Sequence, residues 1–191
     1  MDIVSLNAHF PGGNLRQRAH ALLDMLTRTA DISTKVICIQ EGCSTLHRAL
    51  SARLARTHEV YPPRSRSGAS MFLITLVPHS LVLTRPITRA AFPDHMSPMR
   101  REAHVCAVGR TTLVHTHLES CGDSAHYRAA QVEHLLRVVP DGPLLVVGDL
   151  NGYGGSWARQ YMQRGVRVES KRMRLSPSLT PHFLYSYHAA A

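Results

Sequence analysis

The stretch Leu144-Leu145-Val146-Val147-Gly148-Asp149-Leu150-Asn151 decides how this chain is read. An apolar run of this kind, with valines at its centre, forms a buried strand, and it delivers a carboxylate and a carboxamide onto the turn that ends it. Residues i and i+2 of extended backbone point to the same side, so Asp149 and Asn151 can act on one substrate atom. A phosphate-cleaving site can be built this way. The carboxylate orients and deprotonates a water, and the amide holds a phosphate oxygen without adding negative charge. Taken alone, an Asp and an Asn after a strand are also ordinary turn residues, so the meaning of the pair rests on what the other strand ends carry.

Working outward, Ile3-Val4-Ser5-Leu6 and Val36-Ile37-Cys38-Ile39 are short apolar runs followed by polar residues, and they predict buried strands. Between them Leu15, Ala19, Leu22, Leu23 and Leu26 follow the 3.6-residue period of an amphipathic helix capped by Asn14. Leu46, Leu50 and Leu54 place a second helix over 44–57, with a basic loop at 62–68 after it. Residues 69–83 read as two strands hinged near Pro78-His79-Ser80, and 86–98 as loop. A hairpin follows, 103–108 and 111–116 around Gly109-Arg110, then a helix over 124–139 ended by Pro140-Asp141-Gly142-Pro143. Beyond Asn151 the pattern predicts a glycine-rich loop, a short helix over 157–164 and strand-like pieces at 166–168 and 173–175. Hairpins interleaved with helices indicate an α/β (α+β) layered domain, two sheets packed together with helices outside.

The composition narrows the class. At 191 residues the chain fits a single domain, 1–191. No run approaches the ~18 to 20 apolar residues of a membrane span, and the first residues read as a strand rather than a signal peptide, so the expectation is a soluble, intracellular protein without a membrane partner. The four cysteines form no C-x-x-C pair, which predicts neither a disulfide framework nor a zinc site. A formal charge of +9 and a pI near 10 create a positive field that concentrates polyanions, so nucleic acid is the expected partner. The basic residues are modestly concentrated at 64–66, 100–101 and 164–174. The thirteen histidines are scattered, and His9, His115 and His126 read as surface or satisfied polar residues.

The polar residues after the strands form an ordered series: Asn7, then Gln40-Glu41, then Thr116-His117-Leu118-Glu119-Ser120 with Arg128 and Gln131, then Asp149 and Asn151. In that order and on those residues the chain resembles the endonuclease/exonuclease/phosphatase superfamily, which is DNase I-like. Within it, Thr116-His117-Leu118-Glu119-Ser120 looks most like the tyrosyl-DNA phosphodiesterases of the second type. The resemblance implies a four-layered α/β/β/α sandwich, here compact and C-terminally trimmed, because the chain stops three alanines after His188. It also implies a metal-dependent phosphodiester hydrolase acting on nucleic acid, DNA ahead of RNA.

The roles implied are these. Glu41 holds Mg²⁺ (Mn²⁺ is the alternative ion), with Asn7 supporting the metal or a bound phosphate. Asp149 orients the attacking water, and Asn151, His117 and His188 donate hydrogen bonds to the phosphate, with Ser120 also on the substrate. Arg128 and Gln131, nearly one helical turn apart, read as packing and loop-anchoring residues. The sequence departs from the family at two places. Ser186-Tyr187-His188 stands where relatives end on Ser-Asp-His, and His9 stands where several carry an acidic metal ligand. Two alternatives therefore stay open: a catalytically degenerate domain of this fold that serves as a basic nucleic-acid-binding or structural subunit, and a small-molecule or lipid-headgroup phosphatase.

Overall fold

A computed structural model describes residues 1–8, 15–28, 31–65, 71–120, 124–151 and 184–188. The chain divides into two compact units, one of residues 1–81 with 170–191 and one of residues 82–169.

The first unit holds a mixed five-stranded sheet in the order β3-β4-β2-β1-β9. Strand β1 (Asp2–Asn7) lies parallel to β2 (Val36–Gly42), joined by helix α1 (Leu15–Arg28). Helix α2 (Ser44–Leu54) returns to β3 (His58–Tyr61), which pairs antiparallel with β4 (Phe72–Pro78). The period-2 pattern sorts the side chains. Val4, Leu6, Ile37, Ile39, Ile74 and Leu76 share one core with Ala19, Leu23 and Leu26 of α1 and Leu46, Leu50 and Leu54 of α2. The opposite face carries Ile3, Ser5, Cys38, Gln40 and Thr75, also buried, which is why these strands read as continuous apolar runs.

The second unit holds a four-stranded sheet in the order β5-β6-β7-β8. Strands β5 (Leu83–Ala91), β6 (Glu102–Val108) and β7 (Thr111–His117) are antiparallel, and β8 (Leu144–Asp149) runs parallel to β7 after helix α3 (Ala125–Val138). Ala103, Val105, Val114 and Val146 pack with Val132 and Leu135 of α3. Glu102, His104, His115, His117, Val147 and Asp149 occupy the other face by register. His115 is fully buried rather than on the surface. Burial, with His104 and His117 nearby, holds its imidazole well below the usual range.

Three expectations are corrected. The helix expected over 44–57 ends at Leu54, and after a three-residue turn the chain forms β3, whose four residues carry no apolar alternation to announce a strand. Residues 86–91, expected as loop, complete β5; Pro86 is tolerated there because β5 is an edge strand. A C-terminal strand is present where a C-terminally trimmed fold was expected: β9 (Leu184–His188) pairs antiparallel with β1. The helix expected at 157–164 and the strand pieces at 166–168 and 173–175 lie outside the described residues, as do the loop after Asn151 and His9. Among the described residues no helix is long and apolar enough to cross a membrane.

Candidate active site

In the first unit the site residues gather where β1 and β2 end side by side. Asn7 and Gln40 are register partners on these parallel strands. Gln40 is a structural pin, 1% exposed, donating from Nε2 to Ser5 Oγ (3.1 Å) and to Cys38 O (3.2 Å). The β2–β4 register shifts between Ile39 and Gly42, and within that bulge Glu41 adopts a left-handed φ of 55°. A bulge re-aims a side chain, and a non-glycine residue keeps a positive φ only where its surroundings impose it. The Glu41 carboxylate is thereby turned to Asn7, whose Nδ2 donates to its Oε1 at 3.1 Å. The pair offers hard oxygen donors and one protein carboxylate. That suits Mg²⁺, which keeps several waters and takes one or two carboxylates rather than a full protein cage. Among the described residues no group of three or more His, Cys, Asp and Glu is placed to hold an ion.

In the second unit His117 and Asp149 are register partners at the ends of the parallel strands β7 and β8, with His117 Nε2 3.9 Å from Asp149 Oδ2. The strand ends are locked by Leu118 N donating to Asp149 O at 2.9 Å. Asn151, at a left-handed φ of 47°, closes the turn: its backbone N donates to Asp149 Oδ1 (3.0 Å) and its Nδ2 donates to Leu118 O (2.8 Å). An asparagine amide has two hydrogens, so this contact leaves Asn151 able to donate a second bond. Gly148 permits the close approach. Its φ is 131°, and a Cβ there would stand 1.8 Å from Thr116 O.

The structure brings to this cluster Arg101, which in the sequence is one half of a basic pair. The guanidinium of Arg101 donates from Nη1 to His117 Nδ1 at 2.9 Å and from Nη2 to Ser120 Oγ at 3.2 Å. The signal lay in the hairpin: with the Gly109-Arg110 turn setting Ala103 opposite Thr116, two more residues bring Arg101 level with Leu118. Arg128 and Gln131 are the anchors expected of them. Arg128 Nη1 donates to Glu119 O at 3.2 Å, and Gln131 Oε1 accepts from Glu119 N at 3.1 Å.

One expected residue is not brought to these strand ends. The β1–β9 register sets Leu184 opposite Leu6 and His188 opposite Asp2, so β9 presents His188 at the far end of β1 from Asn7. Five residues of strand separate the two levels, about 16 Å at ~3.3 Å per residue. The same register pairs the backbone of Tyr187 with Ile3, four residues along β1 from Asn7.

Two mixed sheets, the first packed on α1 and α2 and the second on α3, with polar residues at their strand ends, match a DNase I-like α/β fold, the fold of endonuclease/exonuclease/phosphatase proteins. No protein-family model and no curated protein sequence matches the chain. Among solved structures it is similar to a truncated TDP2 from Caenorhabditis elegans, at TM-score 0.60 and 20% identity over 80% of this chain and 63% of that one. TDP2 of D. rerio, crystallised with a single-stranded DNA product, gives 0.64 and 19% over 87% of this chain and 65% of that one. An endonuclease/exonuclease/phosphatase from Bacteroides vulgatus gives 0.63 and 15% over 83% and 69%. The chain thus spans just under two thirds of the length of the two TDP2 structures.

Proposed function

We propose that the chain is a Mg²⁺-dependent phosphodiesterase acting on nucleic acid, with 5′-tyrosyl DNA ends as the first substrate to try. The observation that carries this reading is the Asp149 carboxylate, held by its own turn beside His117 and Asn151 at the end of β8. A fixed carboxylate next to neutral hydrogen-bond donors is what a phosphoryl centre under attack by water requires: a base for the water and donors for the oxygens that gain charge. Asp149 receives the water proton, and Asn151 and His117 donate to the phosphoryl oxygens. Arg101 brings a permanent positive charge to the same cluster through its contact with His117. Glu41 and Asn7 of the first unit would hold the metal, whose chemistry when bound is to neutralise anionic oxygen charge. Support for a nucleic-acid substrate comes from the net charge of +9 and from the DNA product described for the D. rerio TDP2 structure.

The test is cleavage by the purified chain, with Mg²⁺ or EDTA, of a 5′-tyrosyl oligonucleotide, an abasic duplex, plain single strands of DNA and RNA, and an inositol polyphosphate. Metal-dependent cleavage that disappears in Asp149→Ala and in Glu41→Ala is the expected result. Phosphate release from the inositol compound alone would move the assignment to a small-molecule phosphatase. Silence across the panel, with salt-sensitive oligonucleotide binding, would leave a binding domain.

A further inference from the structure

Glu119 has a carboxylate that is buried, with the residue 2% exposed, and that none of the chemistry above uses. Its Oε1 accepts two hydrogen bonds, from Ser97 Oγ at 2.7 Å and from Met99 N at 3.1 Å. The backbone of Glu119 is fixed in turn by Gln131 and Arg128 of α3, so the carboxylate is a rigid post. What it fastens is the turn of residues 97–101. Ser97 gives its one hydroxyl hydrogen to Glu119 and accepts from Arg101 N at 2.6 Å, while Arg100 N closes the turn onto Ser97 O at 2.8 Å. Arg100 sits at a left-handed φ of 53°, a conformation that persists only where the neighbourhood enforces it. The turn ends at Arg101, whose guanidinium meets His117 Nδ1.

We propose that Glu119 is a positioning residue that, through the 97–101 turn, holds Arg101 against His117 and so keeps the His117 ring in the tautomer with its proton on Nε2. The chemistry behind this is one-sided. A guanidinium has five donor hydrogens and no acceptor, so the nitrogen it meets must present a lone pair. With Nδ1 accepting, the ring proton is on Nε2, the nitrogen that lies 3.9 Å from Asp149 Oδ2. An imidazole without that partner has both tautomers open to it, and in one of them Nε2 has no hydrogen to donate. Ser120 Oγ, accepting from Nη2, steadies the same guanidinium from its other end. The consequence for turnover rests on the phosphodiesterase reading; the tautomer itself does not.

The experiment is a long-range ¹H–¹⁵N spectrum of the histidine rings in the full chain. The expected wild-type pattern for His117 is an unprotonated Nδ1 and a protonated Nε2. Glu119→Gln, whose side-chain oxygen can accept the same two bonds, keeps that pattern. Glu119→Ala and the gentler Ser97→Ala move it toward a mixture of tautomers, and kcat/KM for the phosphodiester falls about 10- to 100-fold, the scale for a misplaced site group. If Glu119→Ala does not fold, Ser97→Ala carries the comparison. A protonated Nδ1 in the wild type, or an unchanged pattern in a folded Ser97→Ala, overturns the proposal. The expected spectra from a chain that cleaves nothing would instead overturn the phosphodiesterase reading and leave the positioning role standing.

Discussion

Replacing Gly148 by alanine should both destabilise the second unit and disable the cluster around Asp149. The residue sits at φ 131°, a region that L side chains rarely adopt, and its added Cβ would stand 1.8 Å from Thr116 O and 2.9 Å from Thr116 C. The atoms in the way are backbone, so no rotamer change can relieve the clash. The strained conformation costs about 1 to 3 kcal/mol. Prising β8 from β7 at Thr116 adds the loss of about two ladder hydrogen bonds, near 1 kcal/mol each. The sum is about 3 to 5 kcal/mol, which for a chain of this size lowers Tm by roughly 10 °C. Gly109→Ala is the control, since that glycine also has a positive φ, 57°, but nothing lies within 4 Å of its Cβ position. Strain alone there costs about 1 to 2 kcal/mol. Thermal melts of the two variants side by side, followed by far-UV circular dichroism, read the difference. Because Asp149 is the next residue, kcat of Gly148→Ala should fall about 100-fold at a temperature where the protein remains folded. Equal Tm losses for the two variants would refute the backbone-clash explanation.

Three further outcomes are expected. His188→Ala should leave turnover within about two-fold of wild type, because the register puts its backbone opposite Asp2, about five residues of strand from Asn7; a 100-fold loss measured on the oligonucleotide substrate would restore it to the site. His115 is held well below its ordinary range by burial, so the unfolded chain binds the proton that the folded chain refuses. Its contribution is complete above the unfolded value near ~6.5, and stability falls as pH drops below that, by at most about 1.4 kcal/mol per pH unit for this group. Urea melts at pH 7.5 and 5.0 check this, and the acid-side loss should shrink in His115→Gln. The Cys106 thiol, pushed up to about 11 by burial, should resist alkylation by iodoacetamide at pH 8 in the folded protein and react once urea is added.

The site was legible in proportion to how local its determinants are. Asn7, Glu41, His117, Asp149 and Asn151 stand at or just past strand ends as the sequence predicts, because each follows an apolar run that ends there. Arg101 was not selected, although the hairpin turn contained its register, because an arginine in a basic pair carries no mark that separates a structural contact from a solvated charge. The level of His188 along β1 is not legible for the opposite reason: its triplet resembles a family signature, whereas its position depends on the antiparallel register of β9 against β1. β5 shows the same limit on a smaller scale: Pro86 reads as a strand breaker until the strand is known to lie at the sheet's edge.

What the sequence by itself determined is the alternation of apolar runs, helical stripes and turn residues, and with it the α/β class and the order in which polar residues leave the strands. Those are properties of neighbours along the chain, set by side-chain period and backbone preference within a few residues. The tertiary structure decided which polar residues meet. It paired His117 with Asp149 across parallel strands, turned Glu41 toward Asn7 through a bulge and brought Arg101 to His117 by a turn fastened to Glu119. It also carried His188 to the other end of its sheet. Each of these depends on register between segments distant in sequence, and register is fixed by packing of whole faces against one another, which no local pattern encodes.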